Sequence, residues 1–160
     1  MTSSSPRPLV VDPTGAALKQ LLSEGHAGAP VVMLNLLRFK RDTAAASDAA
    51  ATTASRALYR QYARGVSPFL AAAGAEVLFS GDASNLLVAP AGFRSEEWDS
   101  ILLVRYPSRL AFSRMIAQPD YQRLSHLRTQ ALECAVLQAW IPSNLAADAH
   151  SATNNLQSML

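Results

Sequence analysis

The sequence predicts a single α+β domain in which strands and helices alternate in the order β–α–β–β–α–β. Two apolar runs, residues 31–39 and 98–106, are typical of central strands, and a segment with one apolar helical face follows each run. The 160 residues are 49% hydrophobic and 16% charged, which suits one folded domain and excludes a disordered chain. The single cysteine, Cys134, excludes a disulfide scaffold within one chain.

Capping residues and apolar patterning predict the first two elements. Asp12 can cap a helix and Pro13 suits the first helical position, so we predict a short helix over residues 13–24 that Gly25 ends. The strand predicted over residues 31–39 is apolar on both faces, as in a central strand that is covered on both sides.

The segment after this strand combines a loop with a long helix. Residues 40–52 have the composition of a low-complexity loop, although their alanines favour helix and part of the loop could extend the next helix backwards. A helix is predicted over residues 53–73, with one apolar face and with Gly74 at the position that follows a helix C-terminus. Pro68 lies inside this helix, so we expect a kink or break after Gly65.

The second half of the chain repeats the pattern. Its predicted elements, in order, are a strand over residues 75–80, a short hairpin arm over 86–88, a strand over 98–106, helices over 108–117 and 120–131, and a strand over 133–141. We divide the chain into an N-terminal arm with a short helix (1–30), a main domain (31–141) and a C-terminal tail (142–160).

This element order predicts the sheet topology. Two right-handed βαβ units in tandem form a ferredoxin-like split βαβ sandwich, an antiparallel sheet with helices on one face and the first and third strands at its centre. We expect Leu34, Leu36, Leu102 and Val104 to face the helices, and Met33, Leu37, Phe39, Ile101 and Leu103 to face away from them. The second set is too apolar to remain in water, so we predict a homodimer in which two such sheets pack face to face.

A few polar residues are expected on the same outward face. Asn35, Asp99 and Arg105 fall there by alternation, with Asn35 and Arg105 as neighbours, and Gln138 of the last strand can join them. One interpretation is an internal network in which Arg105 pairs with Asp99 and Asn35 and fixes the register of sheet or dimer. The other is an anion- or carbonyl-binding cleft between the sheet and its partner, in which Arg105 presents a fork of donors.

Three aromatic side chains with polar tips complete the predicted ligand-binding residues. Tyr62, Trp98 and Tyr106 could line a pocket between the sheet and the helices, although packing alone also explains them. A cofactor-free oxygenase could use Asn35, Trp98 and Arg105 to hold an aromatic enolate. Asp99 would be its base, but a pairing with Arg105 would lower the pKa of that carboxyl. The catalytic residues of such an enzyme stay unknown at this point.

A series of short segments carries a resemblance to a known family. The segments are Val32–Lys40, Tyr59–Tyr62, Ala73–Gly81, Trp98–Ser108, Phe112, Met115, Pro119–Tyr121 and Arg128–Glu133. In this order, over residues 31–141, they resemble the long-chain branch of the family catalogued as domain of unknown function thirteen-thirty. The resemblance implies a dimeric α/β-barrel of two ferredoxin-like protomers that face each other through their sheets. The sequence departs from it in a longer loop at 40–52 and in Leu127, where family members carry a histidine.

The resemblance does not fix an activity, so three functions stay open. The first is an uncharacterised homodimer that binds a small, apolar or anionic molecule. The second is a cofactor-free monooxygenase- or isomerase-like enzyme that acts on an aromatic or enolisable substrate. The third is a non-catalytic dimerisation or stress module. Monooxygenases, isomerases and haem peroxidases share the wider superfamily, but transfer from them would rest on the fold alone.

Other functions are excluded by missing patterns. The three histidines are dispersed, and no phosphate-binding or dinucleotide-binding motif occurs, so we expect no metal and no cofactor. The central strands lack the aromatics on which bases stack, so we expect no nucleic-acid partner. No apolar run approaches the roughly 20 residues of a membrane span, and the N-terminus lacks the pattern of a signal peptide. We therefore expect a cytoplasmic protein, and the excess of arginine over lysine suggests a bacterial source.

Overall fold

The computed structural model describes residues 12–92 and 98–142. Residues 1–11 of the predicted N-terminal segment and residues 143–160 of the predicted C-terminal tail lie outside the described residues. In chain order the elements are α1 (Gly15–Ser23), β1 (Val31–Phe39), α2 (Asp48–Ala51), α3 (Thr53–Ala72), β2 (Glu76–Asp82), β3 (Ser100–Tyr106), α4 (Arg109–Ile116), α5 (Pro119–Gln122), α6 (Ser125–Ala131) and β4 (Leu132–Trp140).

The four strands form one antiparallel sheet in the order β2–β3–β1–β4. The first and third strands are central, and the second and fourth are at the edges, as the succession of elements predicts. Because β1 and β2, and likewise β3 and β4, are joined by helical connections, the helices cover one face of the sheet. The predicted ferredoxin-like α+β fold is confirmed.

The register of the two central strands corrects our assignment of their faces. Met33 pairs with Val104 and Asn35 pairs with Leu102, and directly opposed residues point to the same side of a sheet. The odd-numbered residues of β1 therefore share the helix side with the even-numbered residues of β3. The prediction was right for β3 but reversed for β1: Met33, Leu37 and Phe39 face the helices, and Leu34 and Leu36 face away.

The core on the helix side consists of two clusters. The larger contains Val31, Met33, Val104, Tyr106, Phe112, Met115 and Ile116, and the smaller contains Leu37, Phe39, Ala131 and Leu132. Helix α1 adds Leu18 and Leu21 to the larger cluster. Its N-cap is Thr14, whose hydroxyl accepts a hydrogen bond from the Ala17 amide, and not Asp12 as expected. The carboxylate of Asp12 is instead engaged by a buried arginine described below.

Three other local predictions differ from the structure. Helix α3 runs without a break through Pro68; near this proline, Val66 is buried and Phe69 packs against the larger core cluster. The predicted arm over residues 86–88 forms no strand, and its apolar side chains are exposed. The single helix expected over 120–131 is divided into α5 and α6 by a turn.

Gly74 ends α3 in the left-handed conformation that its position predicts, with φ of 66°. The Gly74 and Ala75 amides close the helix by donating to the carbonyls of Ala71 and Leu70. A Gly74→Ala substitution should lower the free energy of unfolding by about 1–2 kcal/mol in urea denaturation, since a side chain strains this conformation. Gly15→Ala is the matched control: it meets nothing within 4 Å at the start of α1 and should not destabilise the protein.

Candidate functional site

A cavity of about 690 Å³ lies between the sheet and the chain's own helices. This is the opposite side of the sheet from the one on which we expected the cleft. Its apolar wall comes from every layer of the fold and includes Leu18, Met33, Val66, Leu70, Val77, Leu102, Val104, Phe112, Met115, Ile116 and Leu137. Ala63, Ser67 and Val77 line the cavity and are also exposed, so they mark its rim.

Asn35 places a side-chain amide on the sheet floor of this cavity. It lies on the helix side of β1, and its side-chain amide donates two long hydrogen bonds of 3.4 Å to the carbonyls of Met33 and Leu102. No hydrogen bond to its side-chain oxygen is found among the described residues. Asn35 can therefore offer an acceptor to a molecule in the cavity.

Arg128 of α6 forms part of the cavity wall. The residue is 4% exposed, and its Nη1 donates a hydrogen bond of 2.9 Å to a carboxylate oxygen of Asp12, which also lines the cavity. Its Nη2 is buried and has no hydrogen-bond partner within 3.5 Å among the described residues, while the guanidinium also lies near the Tyr59 hydroxyl and lowers the pKa of that group. Nε and Nη1 of Arg109 are also buried without a hydrogen-bond partner in the part of the chain that the structure describes, but Arg109 lies beneath Gly25 and takes no part in the cavity wall. A buried guanidinium with an unsatisfied nitrogen lowers the free energy of unfolding. Arg128 is such a residue, and it lies in the cavity wall.

The four tyrosines of the chain all line this cavity. The Tyr62 and Tyr121 hydroxyls are 2.8 Å apart and share one hydrogen bond, and the rings of Tyr59 and Tyr62 lie 5.5 Å apart at their centroids. Tyr106 packs edge-on against Phe112, with 5.1 Å between the ring centroids. The hydroxyls give the cavity several donors in addition to Arg128.

Burial raises the pKa of all four tyrosine hydroxyls above the ordinary value for tyrosine. For Tyr59 the nearby Arg128 guanidinium opposes this effect but does not cancel it. The four hydroxyls are therefore protonated at neutral pH and act as neutral hydrogen-bonding groups, not as bases.

These raised pKa values predict how stability depends on alkaline pH. The folded state disfavours the phenolate form of these tyrosines. Their contribution to the free energy of unfolding is therefore fully present below the tyrosine pKa of the unfolded chain, about 10, and is lost as pH rises above that value. In a spectrophotometric titration, tyrosinate should appear in the folded protein only above that pH, together with loss of structure. The chain in guanidinium is the control and should titrate near pH 10. Phenolate formation near pH 10 with an intact circular dichroism spectrum would show that the hydroxyls are not buried.

The structure brings together half of the six predicted ligand-binding residues. Asn35, Tyr62 and Tyr106 line the cavity, while Trp98, Asp99 and Arg105 do not. The expected proximity of Asn35 and Arg105 is wrong, because Arg105 is paired in the sheet with Val32 and faces away from the helices. The two residues lie on opposite faces of the sheet and cannot contact one molecule in this cavity.

The polar network expected around Arg105 is also replaced by other pairs. Arg105 is exposed and forms an ion pair with Glu76 of the edge strand β2. Asp99 precedes β3 and accepts hydrogen bonds from the Phe39 amide at 2.7 Å and from Arg41 at 3.1 Å. Asp99 thus fixes the end of β1 and has no contact with Arg105.

Arg128, Tyr59 and Tyr121 are site residues that sequence reasoning did not single out. All three lie in segments that carry the family resemblance, but none has a pattern that separates a ligand-binding residue from a core residue. The spacing of Tyr59 and Tyr62 on the apolar face of α3 was the available signal. Arg128 was hidden because its partner Asp12 is 116 positions away in the sequence.

The face of the sheet opposite the helices is apolar across all four strands. We call it the open face, and its apolar residues are Val32, Leu34, Leu36, Phe79, Ile101, Leu103, Val136 and Trp140. Phe79 and Trp140, on the edge strands, are each about half exposed. Charged pairs flank this surface: Arg105 with Glu76, and Arg38 with Glu133.

The family profile for "Domain of unknown function (DUF1330)" matches residues 49–139, which is more than half of the chain. The protein belongs to the DUF1330 family. This confirms the resemblance noted from the sequence, and the match begins after β1 and ends within β4. No curated protein matches the chain.

Solved structures similar to this DUF1330 protein include one from Rhodopseudomonas palustris, RPA0582, described as a protein of unknown function. It is 30% identical, with a TM-score of 0.67 over 83% of this chain and 96% of that one. Its methylated form matches equally, with 30% identity and a TM-score of 0.67 over 84% and 95% of the two chains. A dimeric ferredoxin-like protein of unknown function from Bacteroides fragilis is 10% identical, with a TM-score of 0.45 over 71% and 96%.

Within residues 12–92 and 98–142, no helix is both long and apolar enough to cross a membrane. The same part of the chain contains no group of three or more His, Cys, Asp or Glu residues placed to hold a metal ion.

Proposed function

We propose that this DUF1330 protein is a homodimeric α/β-barrel that binds a small, largely apolar molecule in the cavity between its sheet and its helices. The observation that carries the proposal is the cavity of about 690 Å³ with the half-paired Arg128 in its wall. Binding sites for small molecules are typically apolar cavities of about 300–1,000 Å³ with a few oriented polar groups. Asn35, Tyr62, Tyr106 and Arg128 are the proposed polar contacts.

Binding is better supported than base catalysis. A cofactor-free oxygenase or isomerase needs a base next to its substrate. The tyrosines are neutral, and the carboxylate of Asp12, which is the acidic side chain in the described cavity wall, is already paired with Arg128. Asp99, the base considered from the sequence, lies outside the cavity wall.

The homodimer is supported by the open face. Aliphatic side chains on both central strands, Leu34, Leu36 and Leu103 among them, would stay in contact with water in a monomer. A second copy of the chain presents the same apolar open face, and packing the two open faces together removes both from water. The aliphatic character of the central strands also supports the expectation of no nucleic-acid partner, because bases stack on aromatic rings. We place the protein in the bacterial cytoplasm on the composition argument given above.

The test of the cavity is a substitution that fills its rim. Ala63→Trp places an indole at the exposed opening of the cavity, and saturable binding of the neutral probe 2-naphthalenemethanol should then be lost in a fluorescence titration. Ala71→Trp is the matched control, since Ala71 is exposed on the same helix and takes no part in the cavity wall. Equal binding by wild type, Ala63→Trp and Ala71→Trp would place the probe elsewhere and contradict the proposed site.

A further inference from the structure

We propose that the cavity selects an apolar molecule with a carboxylate group, and that this carboxylate takes the place of Asp12 on Arg128. The inference rests on the proposed function and names the class of its ligand. It is carried by the geometry of Arg128, by the hydroxyl donors of the cavity wall, and by the position of Asp12.

The geometry of Arg128 fits a planar acid. A guanidinium offers two parallel N–H groups that match the two oxygens of a carboxylate. Asp12 engages Nη1 at 2.9 Å, while Nη2 has no partner among the described residues. Nη2 has almost no accessible surface while Asp12 is in place, so a ligand carboxylate would reach both nitrogens only from the position that Asp12 vacates.

The cavity wall holds several hydroxyl donors in addition to Arg128. Each tyrosine keeps its proton, and the pair formed by Tyr62 and Tyr121 uses only one of its two hydroxyl protons. Tyr106 adds a further hydroxyl to the cavity wall. Such a wall favours a ligand that brings acceptor oxygens, and a carboxylate brings two oxygens and no proton at neutral pH.

Asp12 is the more exposed partner of its ion pair with Arg128, and its other hydrogen bond, from the Thr129 hydroxyl, is long at 3.5 Å. Its side chain is 45% exposed, whereas that of Arg128 is 5% exposed. A displaced Asp12 carboxylate would therefore be solvated, while Arg128 would keep a carboxylate partner from the ligand. In this arrangement the Asp12 carboxylate competes with the ligand carboxylate for the Arg128 guanidinium.

The experiment compares 2-naphthoate with 2-naphthalenemethanol, two probes of similar shape that differ in the acid group. Wild-type protein should bind the acid about tenfold or more tightly than the alcohol, as expected for a charge-assisted contact. Arg128→Met should lose this preference. Asp12→Asn removes the competitor and should raise the affinity for the acid severalfold with no change for the alcohol. Asp120→Asn, an exposed acid in an ion pair with Arg123, is the control and should change neither.

Each outcome separates this inference from the proposed function. Equal affinities of wild type for the two probes, both abolished by Ala63→Trp, would overturn the acid preference and leave the cavity as the binding site. An unchanged or weaker acid affinity in Asp12→Asn would overturn the exchange with Asp12. Failure of both probes to bind wild-type protein would overturn the inference together with the proposed function.

Discussion

Replacing Arg128 with methionine is expected to stabilise the protein. Methionine matches much of the volume of arginine and carries no charge, so the substitution removes a buried guanidinium that is only half paired. Loss of one partner of a buried ion pair normally destabilises because the other charge is left uncompensated. Here the remaining partner, Asp12, is partly exposed and can be solvated. We expect the free energy of unfolding to rise by about 1–2 kcal/mol.

This result would separate function from structure at Arg128. A gain in stability with loss of the preference for 2-naphthoate is expected of a residue that is kept for binding. Urea denaturation at one fixed protein concentration measures the effect, because stability of a dimer depends on concentration. Arg123→Met is the control: its ion pair with Asp120 is exposed, so stability should change by less than about 0.5 kcal/mol. A loss of about 3 kcal/mol or more in Arg128→Met would mean that Arg128 is a structural residue.

A charge in the middle of the open face is expected to dissociate the dimer. Leu103 lies on the central strand β3 and faces away from the helices. In the face-to-face dimer, Leu103→Asp would bury two unpaired carboxylates, one from each copy, and the dissociation constant should rise by about 100-fold or more. Sedimentation should give twice the 17.1 kDa of one chain for wild type and a single-chain mass for the variant at the same concentration.

The control for the dimer places the same charge on another surface. Ala57 is exposed on α3, so Ala57→Asp should leave the sedimenting mass unchanged. A wild-type protein that sediments as a monomer at micromolar concentration would contradict the homodimer, whatever the variants do. A Leu103→Asp variant that remains dimeric would place the interface on a surface other than the open face.

Strand order could be predicted from the sequence because it depends on features that are local or general. The two apolar runs and the glycine at the end of α3 each act over a few residues, and the handedness of βαβ units then sets the topology. The faces of β1 could not be predicted in the same way. Both faces of this strand are apolar, so only its register with β3 decides that Asn35 faces the helices.

The candidate site depended on the same unknown register. The alternation of side chains predicted that Asn35 and Arg105 lie on one face of the sheet. In the structure the register of β1 with β3 differs by one residue from that expectation, so the two residues lie on opposite faces. Arg128 and Asp12 could not be paired from the sequence, because nothing local relates an arginine of α6 to a residue that precedes α1. Tyr62 and Tyr106 were found because a tyrosine on an apolar face needs a place for its hydroxyl.

The most direct test is a crystal structure of the wild-type protein soaked with 6-bromo-2-naphthoate, in which anomalous scattering locates the bromine. We expect the bromine among the apolar residues of the cavity and the carboxylate within hydrogen-bond distance of Arg128 Nη2, with Asp12 displaced. Bromine outside the cavity, or a carboxylate that points away from Arg128 while Asp12 stays in place, would contradict the proposed site and its ligand class.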